Sequence, residues 1–175
     1  MSEDLRFPIG EFVPPEIITP QAREKFIRTI EKLPPNLKDA VENLSDEQLD
    51  TPYRPEGWTV RQTVHHLADS HLNSFCRFKL GLSEDTPTIK TYDEAVWAET
   101  TDSKNAPVEL SLSIIDGLHA RWTRLLKSMS DEDFNRKINH PERGAMSLGE
   151  LLALYDWHSR HHTAHIAKLK ERQGW

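Results

Sequence analysis

The run Trp157-His158-Ser159-Arg160-His161-His162-Thr163-Ala164-His165-Ile166 holds four of the nine histidines in this 175-residue chain. It lies inside a longer pattern in which Leu151, Leu154, Tyr155, His158, His162, His165, Ile166 and Leu169 recur at helical steps. At roughly 100° per residue these share one sector of an α-helix, with His161 more peripheral. The stretch therefore predicts an amphipathic helix whose inward face is rich in imidazole. Each inward ring needs a partner for both of its nitrogens. A lone buried histidine usually finds them in the core. Three crowded on one face are costly unless something binds them, and a divalent cation does so. His158 and His162, at i and i+4, have the spacing by which one helix offers two nitrogen ligands to one ion.

The helix opens at Ser147-Leu-Gly-Glu150, a capping box, and runs to Gln173, with Gly174 placed to close it. Three more long helices follow from the same rules. One starts after Thr19 with Pro20 at its first position and carries Phe26, Ile30, Leu33, Leu37, Val41 and Leu44. Pro34-Pro35 interrupts that run, and the unbroken period favours one kinked helix over two. Another opens at Thr59 with Gln62 three residues on, and buries Val60, Val64, Leu67, His71, Phe75, Phe78 and Leu82. The next spans about Pro107 to Lys127, with Leu110, Ile114, Ile115, Leu118, Trp122 and Leu125 as its face. Residues 83–106 form the longest connection, with one short helical candidate at Asp93–Glu99. No run alternates long enough to predict a strand. Residues 1–19, broken by Pro8, Gly10, Pro14 and Pro15 yet apolar at Phe7, Ile9, Phe12, Val13, Ile17 and Ile18, predict an extended arm packed along the body. The expectation is an all-α four-helix bundle, one domain over residues 1–175, with long loops and an N-terminal arm.

Composition narrows the functional classes. A net charge of −6 with scattered basic residues argues against nucleic acid or anionic membrane as the partner. No apolar run approaches the roughly 20 residues of a membrane span, and no signal peptide is visible. The one cysteine, Cys76, excludes an internal disulfide framework and fits a reducing, cytoplasmic setting.

A third ligand must come from elsewhere. By helical angle His71 lies on the apolar stripe that follows Thr59, whereas His66 lies roughly 130° from its centre and His65 farther still. Spacing alone does not select among them, and taken naively it favours His71. His119 and His140 are isolated and are expected at the surface or in caps.

Phe7-Pro-Ile-Gly-Glu11, Leu49-Asp-Thr-Pro-Tyr-Arg54, Gly57-Trp-Thr-Val-Arg-Gln-Thr-Val-His-His-Leu-Ala-Asp-Ser-His71, Arg77-Phe-Lys-Leu80 and the Trp157–Ile166 run occur in this order. With these motifs the chain resembles, over nearly its full length, the YfiT group of the DinB-like four-helix-bundle superfamily, a group taken to be metal-dependent hydrolases. The resemblance implies a metal held by the second histidine of His-His-Leu, which is His66, and by the pair His158 and His162. Many DinB-like proteins continue the last ligand as His-Arg-Gly-Gln. Here it reads His162-Thr-Ala-His165, the form of the YfiT group. His165 then becomes the expected outer partner that orients a ligand, and His71 a core or outer-shell residue. A homodimer is also implied.

Three imidazoles on one divalent ion leave a position for water or substrate, which is the layout of a catalytic zinc site. Zinc is the expected ion, one per subunit; nickel, cobalt and iron accept the same ligands. Cys76 lies about 15 Å from His66 by helical rise and cannot close the site. One reading is hydrolysis of a small-molecule substrate, with no catalytic residue assigned and Asp69, Asp156 and Glu150 as weak candidates for moving the proton. A second is transfer of a low-molecular-weight thiol such as bacillithiol, activated as thiolate, which needs no dedicated base. A third is a non-catalytic metal-binding stress protein.

Overall fold

The computed structural model describes residues 4–175; the first three residues of the expected arm lie outside the described residues. Four long helices dominate. They are α1 (Pro20–Val41), α3 (Val60–Ser83), α6 (Val108–Ser128) and α8 (Leu148–Gln173). Between them come short helices α2 (Asp46–Leu49), α4 (Glu94–Ala98), α5 (Thr101–Asn105) and α7 (Asp131–Asn135), and strands β1 (Lys137–His140) and β2 (Gly144–Ser147). The helix starts follow their side chains. Thr19 caps α1, and Ser45, Thr59, Ser130 and Ser147 each form a complete capping box for the helix that follows. Gly174, in the left-handed region at φ 71°, ends α8.

In the bundle α1 packs on α8 and α6, while α3 packs on α6 and α8. Two apolar clusters fill it. One gathers Ile30, Phe78, Trp122, Leu151 and Leu152; the other gathers Leu37, Val60, Leu67, Ile115 and Ile166. α1 runs through Pro34 and Pro35 as one helix. Neither proline has an N–H, so the carbonyls four residues earlier, Ile30 and Glu31, lose their helical donors. Glu31 is exposed, so water can serve its carbonyl; Ile30 is fully buried and its carbonyl needs another partner.

Several expectations need correction. The bundle carries a two-stranded antiparallel hairpin, with Ile138 opposite Met146, turning through His140–Gly144. Strands of four residues are too short for alternation to show in sequence. α5 was likewise not expected. On α6, Leu110 and Ile114 are exposed, and the buried face runs through Ser111, Ile115, Leu118 and Trp122. Polar Ser111 belongs inside because it bonds His65 of α3. The arm does pack on the body through Phe7 and Gly10, yet Val13 and Ile17 are exposed. Among the described residues no helix is long and apolar enough to cross a membrane.

Candidate metal centre

His66 and His65 lie off the apolar stripe of α3 but are both buried, because α3 is covered on more than one side. α4 and α5 pack over it, and α8 lies across it. His65 is fully used. Its Nε2–H donates to the Ala106 carbonyl at 3.1 Å and its Nδ1 faces the Ser111 hydroxyl at 2.7 Å. His66 instead faces α8, where its Nε2 stands 3.2 Å from Nε2 of His158. His162 completes the group, one turn on from His158, and the three ligand atoms all fall within 4.8 Å of one another. The structure thus brings together His66, His158 and His162.

The geometry suits a cation. Two nitrogens at tetrahedral angle on an ion with bonds of roughly 2.0–2.1 Å stand about 3.3 Å apart, close to the His66–His158 separation. Burial pushes the His66 imidazole down to about 4. Burial first, and neighbouring histidines second, hold His158 and His162 well below the ordinary histidine range. All three are therefore neutral near pH 7, as ligands must be. Nδ1 of His162 is buried without a hydrogen-bond partner.

Behind His158 runs a chain of imidazoles. Nδ1 of His119 lies 2.6 Å from the Ile30 carbonyl, the one that Pro34 deprives of a helical donor. A carbonyl only accepts, so His119 carries its proton on Nδ1 and presents a lone pair at Nε2. That lone pair takes the Nδ1–H of His71 at 3.0 Å, and Nε2 of His71 takes the Nδ1–H of His158 at 3.1 Å. With each ring neutral, the only remaining lone pair of the chain is Nε2 of His158, the atom facing His66. A backbone carbonyl thus sets the tautomer of a candidate ligand two imidazoles away.

This arrangement corrects the expectations for His119, His165, His161 and His140. His119 is buried within the bundle, at neither surface nor cap. Its place four residues after Ile115 and three before Trp122 was the available signal, since both are fully buried. His71, expected as a core or outer-shell residue, is fully buried and stands behind His158, which it orients. His165 bonds neither His66, His158 nor His162: its Nε2–H donates to the Arg6 carbonyl at 3.1 Å and its ring stacks on Tyr53 at 3.9 Å. His161, expected at the periphery, is buried and stacked on Trp157. His161, His162 and His165 also lie close enough to form a metal-binding group of their own. The His66 set draws its ligands from two facing helices, α3 and α8, whereas the His161 group lies on α8 alone, with Nδ1 of each of its three rings buried and unpartnered. His140, expected at the surface or in a cap, is also buried, with Nδ1 accepting from the Glu142 N–H at 3.3 Å.

The three histidines open onto a cleft of about 530 Å³, walled by the arm at Arg6 and Phe7, by Tyr53 and Trp58, and by Tyr92 and Tyr155. Trp58 covers His66, with ring centres 4.7 Å apart. Asp69, Asp156 and Glu150 do not line the cleft. Asp69, pushed up to about 6 by burial and secondarily by Asp102, sits outside it; Asp156 pairs with Arg160; Glu150 serves the α8 capping box.

A helical bundle that points three neutral imidazoles from two facing helices into one cleft defines a class, that of bundles able to hold a single metal ion. Within that class the chain belongs to the DinB superfamily, whose profile matches residues 29–166. It is 51% identical over 175 residues to "Putative metal-dependent hydrolase YfiT" of Bacillus subtilis (strain 168), covering 99% of this chain and 98% of that one. A relative of the same description from Bacillus mycoides (strain KBAB4) is 52% identical over 173 residues, 99% of each chain. The solved structure of the B. subtilis protein, described as a probable metal-dependent hydrolase with an unusual four-helix bundle topology, superposes with a TM-score of 0.95 at 52% identity over 98% of both chains.

Proposed function

We propose that this chain is a metal-dependent hydrolase of a small-molecule substrate, with one divalent ion, zinc by default, held by His66, His158 and His162. The observation that carries the reading is a three-nitrogen set facing a roomy cleft, with no carboxylate or thiol among the hydrogen-bond and ring contacts of the three histidines. When bound, the ion supplies Lewis acidity and lowers the pKa of a coordinated water toward about 7. The protein's part is orientation and shielding. The Ile30–His119–His71 chain fixes the His158 ring, Trp58 covers His66, and Tyr155, bonded to Ser70 at 3.1 Å, forms a wall of the cleft.

One observation favours a second reading, transfer of a low-molecular-weight thiol. No carboxylate hydrogen-bonds His66, His158 or His162; the charges that act on His158 and His162 come from other histidines, and burial alone acts on His66. A water-activating site usually keeps a carboxylate at hand for the proton, whereas a metal-held thiolate needs none. Zinc-loaded protein incubated with an electrophile, with and without thiol, separates the two. Hydrolysis at equal rate in both supports the first; a conjugate formed only with thiol, and absent in His158→Ala, replaces it with the second. A homodimer in the cytoplasm completes the proposal, and light scattering of the purified protein tests the dimer.

A further inference from the structure

At the end of the cleft away from the metal set stands Arg77, on α3. It lies eleven residues beyond His66, about three full turns, so both side chains leave the same face of the helix. Ser70, between them on that face, also lines the cleft. Arg77 is only 8% exposed, yet among the described residues it makes no ion pair. Its Nη2 donates to the Lys90 carbonyl at 3.3 Å, and its Nε is buried with no partner. Arg61, the other buried arginine of α3, shows the usual arrangement: it holds Asp50 at 2.7 Å and Asp46 at 2.8 Å. A guanidinium this buried, with its Nε–H unpartnered and no anion beside it, is costly, and an anion bound from the cleft would offset that cost.

The surroundings point the same way. His140 lines this end of the cleft and accepts the Glu142 N–H on Nδ1, so its proton rests on Nε2. Arg143 lines it as well; burial first, and then the charges of Arg77 and Arg143, oppose protonation of His140, while Glu142 favours it. Glu94 and Glu142 are there too, but both are exposed and neither pairs with Arg77.

We propose that this end of the cleft is an oxyanion subsite built on Arg77, and that the substrate carries a carboxylate or phosphate group remote from its reacting atom. The inference rests on the cleft being the substrate site, and gives that site its substrate class: anionic small molecules. The helical rise of about 16 Å from His66 to Arg77, less the inward reach of two side chains, suits a molecule of several bonds between its two ends. The forked guanidinium accepts either oxyanion.

The buried Nε–H gives a direct readout. In ¹⁵N-labelled protein, metal-free and zinc-loaded, the arginine Nε–H signal that disappears in Arg77→Gln is followed during titration with glutarate and, separately, with inorganic phosphate. Sodium chloride at equal ionic strength is the control. A saturable shift with either anion and none with chloride is the expected result, and the anion that acts identifies which oxyanion the subsite takes. Arg77→Gln should weaken binding of that anion by about tenfold or more, with Arg77→Lys in between. No saturable shift with either anion, in folded protein, overturns the subsite. Because metal-free protein is measured as well, failure of the metal reading leaves this result standing, and a metal-dependent enzyme without the shift refutes the subsite alone.

Discussion

His119 of α6 donates its Nδ1–H to the Ile30 carbonyl of α1 across 2.6 Å, the shortest hydrogen bond of the four-member chain that ends at His158. It exists because Pro34 has no N–H to offer that carbonyl. The bond joins a helix defect to the protonation state of a candidate metal ligand, 128 residues apart in sequence by subtraction of 30 from 158. Partners that orient a ligating imidazole typically contribute about 10–100-fold in metal affinity.

His119→Ala and His71→Ala should therefore each lower zinc affinity by about 10–100-fold while leaving all three proposed ligands in place. Competition against a chromophoric chelator measures it. Affinity unchanged in both variants would show that the imidazole chain is packing alone.

Pro34→Ala gives the complementary case. The new N–H at position 34 competes with His119 for the Ile30 carbonyl, and alanine is the better helix residue by about 3 kcal/mol in an unadapted site. Zinc affinity should fall, by less than in His119→Ala, with no loss of thermal stability. A parallel loss of stability would mean that the proline is needed for the path of α1, and its link to the metal set would fail.

The ligand set itself is separable from its neighbours. His66→Ala, His158→Ala and His162→Ala should each reduce bound metal well below one equivalent, whereas His161→Ala should keep it. Elemental analysis of protein purified under identical conditions decides. Occupancy kept in His66→Ala and His158→Ala but lost in His161→Ala and His162→Ala would move the site to the His161–His162–His165 group, and full occupancy in all three ligand variants would refute the set.

Sequence made the bundle legible because its helix starts are written locally. The capping boxes at Thr59 and Ser147, Gly174 and the three-four recurrence of apolar residues need no tertiary knowledge. The boxes at Ser45 and Ser130 start helices of four and five residues, too short for a period to announce them. The pair His158 and His162 was legible for the same reason. The third member was not, since His66 faces α8 only through the way α3 crosses it, and no angle on a lone helix contains that. His71 was drawn toward the metal by its place on the apolar stripe, and belongs there as the partner of a ligand. His119 was visible on its stripe and was misjudged by its isolation in sequence. Arg77 shares the face of His66 at an eleven-residue step, but an arginine without an anion shows only once burial and partners are known.

Acid should unfold the metal-free protein through these same rings. Burial holds His66 and His119 at about 4 in the folded chain, against about 6.5 for histidine in an unfolded one. The unfolded state therefore binds more protons between those values, so stability is complete above about pH 6.5 and falls as pH drops toward 4. Each such group contributes a slope of about 1.4 kcal/mol per pH unit within the window, and the two together about 2–3 kcal/mol between pH 6 and pH 5. Urea unfolding at pH 7, 6 and 5 gives the slope. His119→Gln, which cannot charge, should flatten it by close to one proton's worth. A slope identical to that of the unaltered protein would mean that His119 is already charged in the fold, and the tautomer chain from Ile30 to His158 would lose its neutral first link.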